Sequence, residues 1–210
     1  MTDVTLYGFP QSTYVRTARL ACEEKGVAYA LEPVEMGSPA HLEIHPFARI
    51  PAMRHDDFLL YETGAIVRYV DRTFDGPPLQ PDRPRAIARM NQWISSIEDY
   101  YYQVMIRELV FPRIVIPSRG GPSDEEMIKV AVPKVEHQLS VLEKTLAADG
   151  FLAGAEVSLA DLFLLPILFW LARTPEGEEA LNGYPAVNRW NETVAARPGA
   201  IATVPPMPGK

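Results

Sequence analysis

Between Asp75 and Pro84 the chain carries Gly76, Pro77, Pro78, Pro81 and Pro84. Proline has no amide hydrogen and a fixed φ, so such a cluster continues neither a helix nor a central strand. It divides the chain into two parts with different periodicity. We expect a first domain over residues 1–77, a linker at 78–84 and a second domain over 85–210. The first part alternates strand-like and helix-like stretches in the order β-α-β-α-β-β-α, which defines an α/β unit with a mixed sheet. Val4-Thr5-Leu6-Tyr7 reads as a strand ended by Gly8 and Pro10. Ser12 or Thr13 then caps a helix with Val15, Ala18 and Cys22 on its apolar stripe and Gly26 as its stop. Val27–Pro33 is a second strand, and Ser38-Pro39 opens a short helix that Pro46 ends. Ala52-Met53-Arg54 and Phe58–Tyr61 flank the polar His55-Asp56-Asp57 as a hairpin. A helix from Thr63 places Ile66, Tyr69, Val70 and Phe74 on one face.

Beyond the prolines the pattern is all helical. Ile87, Met90, Ile94, Ile97, Tyr101 and Val104 recur at steps of three and four, which predicts a long helix over about 84–111. Ser123 and Glu126 form a capping-box pattern before a helix that Pro133 should kink. Ser158 and Asp161 form a second one, before the apolar stretch Leu162–Ala172. A last helix runs from Pro185 to Arg197.

Composition narrows the function. With 210 residues, 47% hydrophobic and 22% charged, the chain is long and apolar enough to bury a core. A net charge of −7, with no basic half or tail, argues against a nucleic-acid partner. One cysteine, Cys22, excludes an intrachain disulfide and a zinc site built from several thiolates. The longest apolar run is far short of the roughly 20 residues of a membrane span. Met1–Val4 does not read as the start of a signal peptide. A cytoplasmic protein without membrane contact is expected.

Three features of the first part converge on one kind of ligand. Ser12 stands between a strand and a helix, Ile50-Pro51 precedes a strand, and Glu62-Thr63 opens another helix. Helix N-termini present backbone N–H groups and favour negative charge, so the arrangement suits a small anion.

The order of these features resembles the cytosolic glutathione S-transferases with an N-terminal serine, nearest to the phi and theta-like bacterial forms. The matching stretches are Leu6–Thr13, Pro46–Ala52, Tyr61–Ile66, Gly154 through Ser158-Leu159-Ala160-Asp161, and Tyr184–Trp190. The resemblance implies a thioredoxin-like N-terminal domain that binds glutathione, an all-α domain supplying a pocket for an electrophile, and a homodimer. It implies that Ser12 hydrogen-bonds the glutathione sulfur. It implies that Ile50 pairs its backbone with the cysteinyl part, that Pro51 is cis, and that Glu62 and Thr63 hold the γ-glutamyl end. Two positions depart from the pattern. Met36 and Gly37 replace a His-Lys pair that serves the glycine carboxylate. Arg49 replaces Gln or Lys, and its guanidinium could supply the lost cation.

Other assignments compete with these. Ser12 also fits a plain helix cap, with Tyr7, Tyr14 and Thr13 as rival hydroxyls. Cys22 fits a buried small hydrophobe better than a nucleophile. His41 and His45 are four apart, but Glu43 is misplaced for a zinc-protease motif and no third ligand follows, so no metal is expected. Tyr101 belongs to the apolar stripe, while Tyr100 and Tyr102 face elsewhere. One of them, with Arg107 or Phe111, is a candidate for the electrophile pocket; a dimer contact is the alternative. The expected activity is conjugation of the glutathione thiolate to a hydrophobic electrophile in detoxification, with glutathione peroxidase activity as a companion. A glutathione-dependent isomerase or lyase, or a non-catalytic ligand carrier, are the alternatives. Ser12, Pro51 and Glu62-Thr63 favour an enzyme, and Met36-Gly37 favours the carrier.

Overall fold

Strand β1 (Val4–Tyr7) buries Val4 and Leu6 and leaves Thr5 and Tyr7 partly exposed, the two-residue period of a strand with one face on a core. It belongs to the first of two units in a computed structural model that describes residues Val4–Met207. Residues 1–3, part of the stretch read above for a leader, lie outside the described residues. The first unit holds the described chain up to Gln80 together with Arg197–Pro206; the second holds Pro81–Ala196 and Met207.

The sheet of the first unit has the order β2-β1-β3-β4. β2 (Ala30–Glu32) is parallel to β1, while β3 (Ala52–His55) runs antiparallel to β1 and to β4 (Phe58–Tyr61). Helices α1 (Thr13–Glu24) and α3 (Thr63–Thr73) pack together, and the short α2 (Pro39–Ile44) precedes β3. This is the βαβαββα thioredoxin-like order expected. β2 is shorter than Val27–Pro33 because Val27 serves the end of α1. Its N–H bonds the Cys22 carbonyl and that of Gly26 bonds Glu23, with Gly26 at φ 65°. That pairing is a Schellman stop, which the positive φ of a glycine permits.

Two boundaries differ from the expectation, each for an electrostatic reason. The linker was placed at 78–84, yet residues to Gln80 stay with the first unit. Buried Lys25 lies 3.3 Å from Asp71 and donates to the carbonyls of Gly76 and Pro77. Asp71 in turn accepts from the Leu79 N–H and the Gln80 side chain. The helical domain was expected to run over 85–210, yet its last stretch returns to the first unit as α10 (Pro198–Ala202). Buried Arg16 donates to the Ala200 carbonyl, and Arg19 to those of Ala202 and Thr203. Two arginines thus satisfy the carbonyl end of α10, where a helix favours positive charge. Arg197 and Glu24 add an ion pair.

The second unit begins with α4 (Pro84–Ser96), which continues as a π-wound segment over Ile97–Val115 and closes with α5 (Ile116–Ser118). The wider winding moves the buried stripe to Ile97, Tyr101, Met105 and Leu109, so Val104 falls off it. α6 (Glu125–Asp149) is capped by Asp124, which accepts the Met127 N–H at 3.0 Å; the expected cap, Ser123, is one residue early. An aspartate caps as well as a serine, so the sequence did not distinguish them. Pro133 lies inside α6. α8 (Pro175–Leu181) was not foreseen, and α9 (Pro185–Ala195) ends before Arg197. Among the described residues no helix is long and apolar enough to cross a membrane.

α7 (Leu159–Leu171) is the centre of this unit, with every residue but Phe169 buried. A helix apolar all round needs its polar N-terminus satisfied inside the protein. Asp161, fully buried, does this. One carboxylate oxygen accepts from the Leu152 N–H and Trp190 Nε1, and the other from the N–H and hydroxyl of Ser158. Burial pushes its pKa up and the four donors oppose that. Asp161→Ala would leave buried donors unpaired on three residues, at about 1–3 kcal/mol each. We expect a loss of about 3 kcal/mol or more by denaturant titration, with near-normal kcat in whatever fraction folds. A stable variant with a collapsed kcat would give Asp161 a role in the chemistry.

Candidate functional site

Gly8 sits between two chain segments. A Cβ built there would lie 2.5 Å from Val15 Cγ2 and 3.2 Å from Ile50 Cβ, and its φ of 148° disfavours a side chain. The missing side chain lets the β1–α1 loop approach Ile50, which the sequence alone showed only as a strand end. The Ile50–Pro51 peptide is cis. Ser12, at the end of the same loop, is the N-cap of α1 and its Oγ accepts the Val15 N–H at 3.4 Å. The cap uses a lone pair. The hydroxyl hydrogen remains a donor, so capping and donation to a ligand are compatible.

Thr63 is the first residue of α3 and is buried. Glu62 before it has φ 74°, which a non-glycine residue adopts at a cost of order 1–3 kcal/mol. Its carbonyl accepts the N–H groups of Ala65 and Ile66, but its side chain makes no cap, unlike Ser12 on α1 and Ser38 on α2. The start of α3 is thus available to an anion. Beneath it lies an aromatic group missed from the sequence. His45, 1% exposed, stacks on Tyr61 with ring centroids 4.8 Å apart, and Phe47 meets Tyr61 edge-on at 6.2 Å. His45 Nε2 is 3.9 Å from Glu62 Oε1.

Arg49 is exposed and its carbonyl meets His41 Nε2 at 2.9 Å. Met36 is half exposed, and Gly37 has φ 79°. Neither supplies a cation, as the sequence indicated.

In the second unit, Tyr100 is 63% exposed and lines a hollow of about 500 Å³ with Asp99, Gln103, Val104, Pro133 and His137 among others. The other three pocket candidates do not line it. Arg107 is exposed and stacks its guanidinium on Phe111 at 4.7 Å, and Tyr102 is half-buried. The four residues are therefore not gathered in this hollow, because successive positions on a wound segment point in different directions.

Cys22 is buried in α1 with its thiol pushed up to about 12 by burial, which keeps it unreactive. Among the described residues no group of three or more His, Cys, Asp or Glu could hold a metal ion.

A four-stranded mixed sheet with a cis Ile50–Pro51 peptide, a loop packed on Ile50 that ends in the helix-capping Ser12, and a helical unit after it define a thioredoxin-like domain joined to an all-α one. Comparison gives that class a family. The family models for the N-terminal and C-terminal domains of glutathione S-transferase match residues 6–78 and 102–198. Glutathione S-transferase 3 of Zea mays is 32% identical over 217 residues, covering 99% of this chain and 96% of its own. A protein of Oryza sativa subsp. japonica named "Probable glutathione S-transferase GSTF1" is 33% identical, covering 94% of each chain. Among solved structures, glutathione S-transferase III in apo form superposes with a TM-score of 0.88 at 30% identity, over 98% of this chain and 100% of the other. The chain belongs to the glutathione S-transferase family. It is a transferase that joins the thiol of glutathione, its co-substrate, to an electrophile.

His45 offers a check on the site's electrostatics. Burial holds its pKa below the usual 6.5; Glu62 opposes this, while His41 and Arg49 add to it. A histidine that is harder to protonate in the folded state than in the unfolded one weakens the fold as pH falls through and below 6.5. Between pH 7.5 and 5.5 the melting temperature should drop more for the wild type than for His45→Asn. Parallel curves would mean that His45 titrates as it does in the unfolded chain.

Proposed function

We propose that Ser12 activates the glutathione thiol and that the enzyme belongs to the serine-type branch, on the phi-like pattern. The relatives from Zea and Oryza give no support to the theta-like bacterial part of the expectation. The observation that carries the Ser12 assignment is its geometry: its Oγ accepts at the cap, which leaves the O–H to donate beside the start of α1. A free thiol with a pKa of about 8.5 is only about 3% thiolate at pH 7. Lowering that pKa by about two units requires about 2.7 kcal/mol of preference for the anion. A hydroxyl donating to a charged acceptor supplies roughly 1.5–3 kcal/mol. The helix start adds about 0.3–1 kcal/mol. Together they suffice without a general base. The remaining atoms bind and orient. The Ile50 backbone, exposed by cis-Pro51, holds the cysteinyl part; Glu62 and Thr63 hold the γ-glutamyl end; Arg49 holds the glycine carboxylate. The thiolate attacks the electrophile, forms the carbon–sulfur bond and displaces a leaving group or adds across an activated double bond. Tyr100, Tyr102, Arg107 and Phe111 stay candidates for contact with the electrophile, of which Arg107 and Phe111 already form a stacked pair. A serine at position 12 disfavours disulfide exchange through an enzyme thiol.

Ser12→Ala should raise the bound thiol's pKa, read as loss of thiolate ultraviolet absorbance at pH 7. It should lower kcat about 10- to 100-fold and leave glutathione affinity nearly unchanged. A variant that keeps both absorbance and rate would leave Ser12 as a helix cap only.

The working form in this proposal is a homodimer in the cytoplasm, without nucleic-acid or membrane partners. Phe47 at 68% and Tyr100 at 63% are among the most exposed large hydrophobic residues described, and Tyr100 lines an apolar hollow. Covering such side chains with a second copy removes apolar area from water at about 25 cal/mol per Å². Light scattering should give about twice the 23.4 kDa of the chain, and Phe47→Ser should lower it. A wild type at 23.4 kDa at micromolar concentration would reject the dimer.

A further inference from the structure

The histidine pair His41 and His45 carries no metal in this reading, yet both rings are buried. His41, at 2% exposure, is tied at both nitrogens. Nδ1 accepts the Gly37 N–H at 3.1 Å, so Nδ1 is the bare nitrogen. Nε2 therefore carries the hydrogen and donates to the Arg49 carbonyl at 2.9 Å. The ring is a neutral bridge between the turn before α2 and the loop that leads into Ile50–cis-Pro51. It joins the two places where the chain departs from the family pattern. Gly37 occupies one of the positions of the missing cationic pair, and its φ of 79° is one that a side chain would disfavour. Arg49 carries the cation assigned to the same carboxylate. Ser38 fixes the ring's own backbone by accepting the His41 N–H at 3.1 Å, so the bridge is anchored on its helix.

We propose that His41 is a positioning residue for the glycine end of glutathione. It clamps the Arg49 backbone to the Gly37 turn and so presets the guanidinium for the glycine carboxylate. The proposal rests on the assignment of Arg49 to that carboxylate. The clamp matters because a long exposed arginine has much rotamer freedom to lose on binding. Holding its backbone leaves the rotamers to the ligand but removes the backbone part of the ordering cost beforehand. Both clamp bonds are to backbone groups, the Gly37 N–H and the Arg49 carbonyl. The ring's partners, Gly37 and Arg49, are not assigned to the sulfur or the electrophile, so the effect belongs to binding and not to chemistry.

The test compares glutathione with its glycine monoethyl ester, in which that carboxylate is blocked. Wild type should have a clearly lower KM for glutathione than for the ester. In His41→Leu the KM for glutathione should rise roughly tenfold, as expected if the charge-assisted contact of Arg49 with the carboxylate is lost. The KM for the ester should barely move, and kcat at saturation should stay within about twofold. A residue needed only for the fold would raise both KM values together, and that result, or no change in either, overturns the proposal. The conservative variants separate the two halves of the clamp and serve if His41→Leu does not fold. His41→Gln can still reach the Arg49 carbonyl and should keep the preference for glutathione. His41→Asn can still accept from Gly37 but falls short of Arg49 and should lose it. Equal behaviour of the two overturns the proposal. Arg49→Ala tests the underlying assignment separately. If it closes the gap between glutathione and ester while the His41 variants leave it open, the Arg49 assignment stands and the His41 proposal falls. If the His41 variants close the gap and Arg49→Ala does not, the Arg49 assignment falls, and with it the proposal that His41 presets the guanidinium. No gap in the wild type overturns both.

Discussion

Gly8 has no side chain, and two segments of the first unit depend on the space this leaves. A Cβ there would collide with Val15 on α1 at 2.5 Å and crowd Ile50 beside the cis peptide at 3.2 Å. That contact brings the loop carrying Ser12 against the loop carrying Ile50–Pro51. In the proposed site, the residue assigned to the sulfur, Ser12, and the segment assigned to the peptide, Ile50–Pro51, therefore share one wall. An added methyl here would displace the Val15 side chain and press on Ile50, since packed interiors transmit displacement.

Around that wall, a few buried charged groups decide where chain segments belong. Lys25 and Asp71 are nearly inaccessible, and each is satisfied by backbone groups as well as by the other. A buried pair of this kind contributes little net stability, but losing one member strands the other. Its effect is on order: it draws Gly76–Gln80 onto the first unit. Arg16 and Arg19 do the same for α10 through carbonyl oxygens at a helix end. In the second unit Asp161 plays the corresponding part for α7.

The chemistry asked of this scaffold is modest. A thiol needs only a donor and a favourable field to become a thiolate near neutral pH, so no buried acid–base pair or metal is required by the energetics. The demand of the proposed site is positional: the two helix starts, the cis proline and the arginine assigned to it would have to face a tripeptide with two carboxylates and an amine. The strained φ of Glu62 and the bridging ring of His41 are both consistent with a site whose geometry is fixed before the ligand arrives.

Much of this is local and therefore legible in the chain. The proline cluster, the two-residue alternation of β1, the Gly26 stop and the Ser158–Asp161 pair are each determined by backbone preferences within a few residues. So is the family pattern at Leu6–Thr13, Pro46–Ala52 and Tyr61–Ile66. Cap placement at Asp124 rather than Ser123 was ambiguous because both residues cap equally well. What the sequence did not determine involves partners far apart in the chain. That His41 meets Arg49, that His45 stacks on Tyr61, that Asp71 gathers Leu79 and Gln80, and that α10 returns to α1 depend on long-range approach. Residue type says that a buried histidine or arginine must find a hydrogen-bond partner; only the packing of the whole chain decides which one it finds.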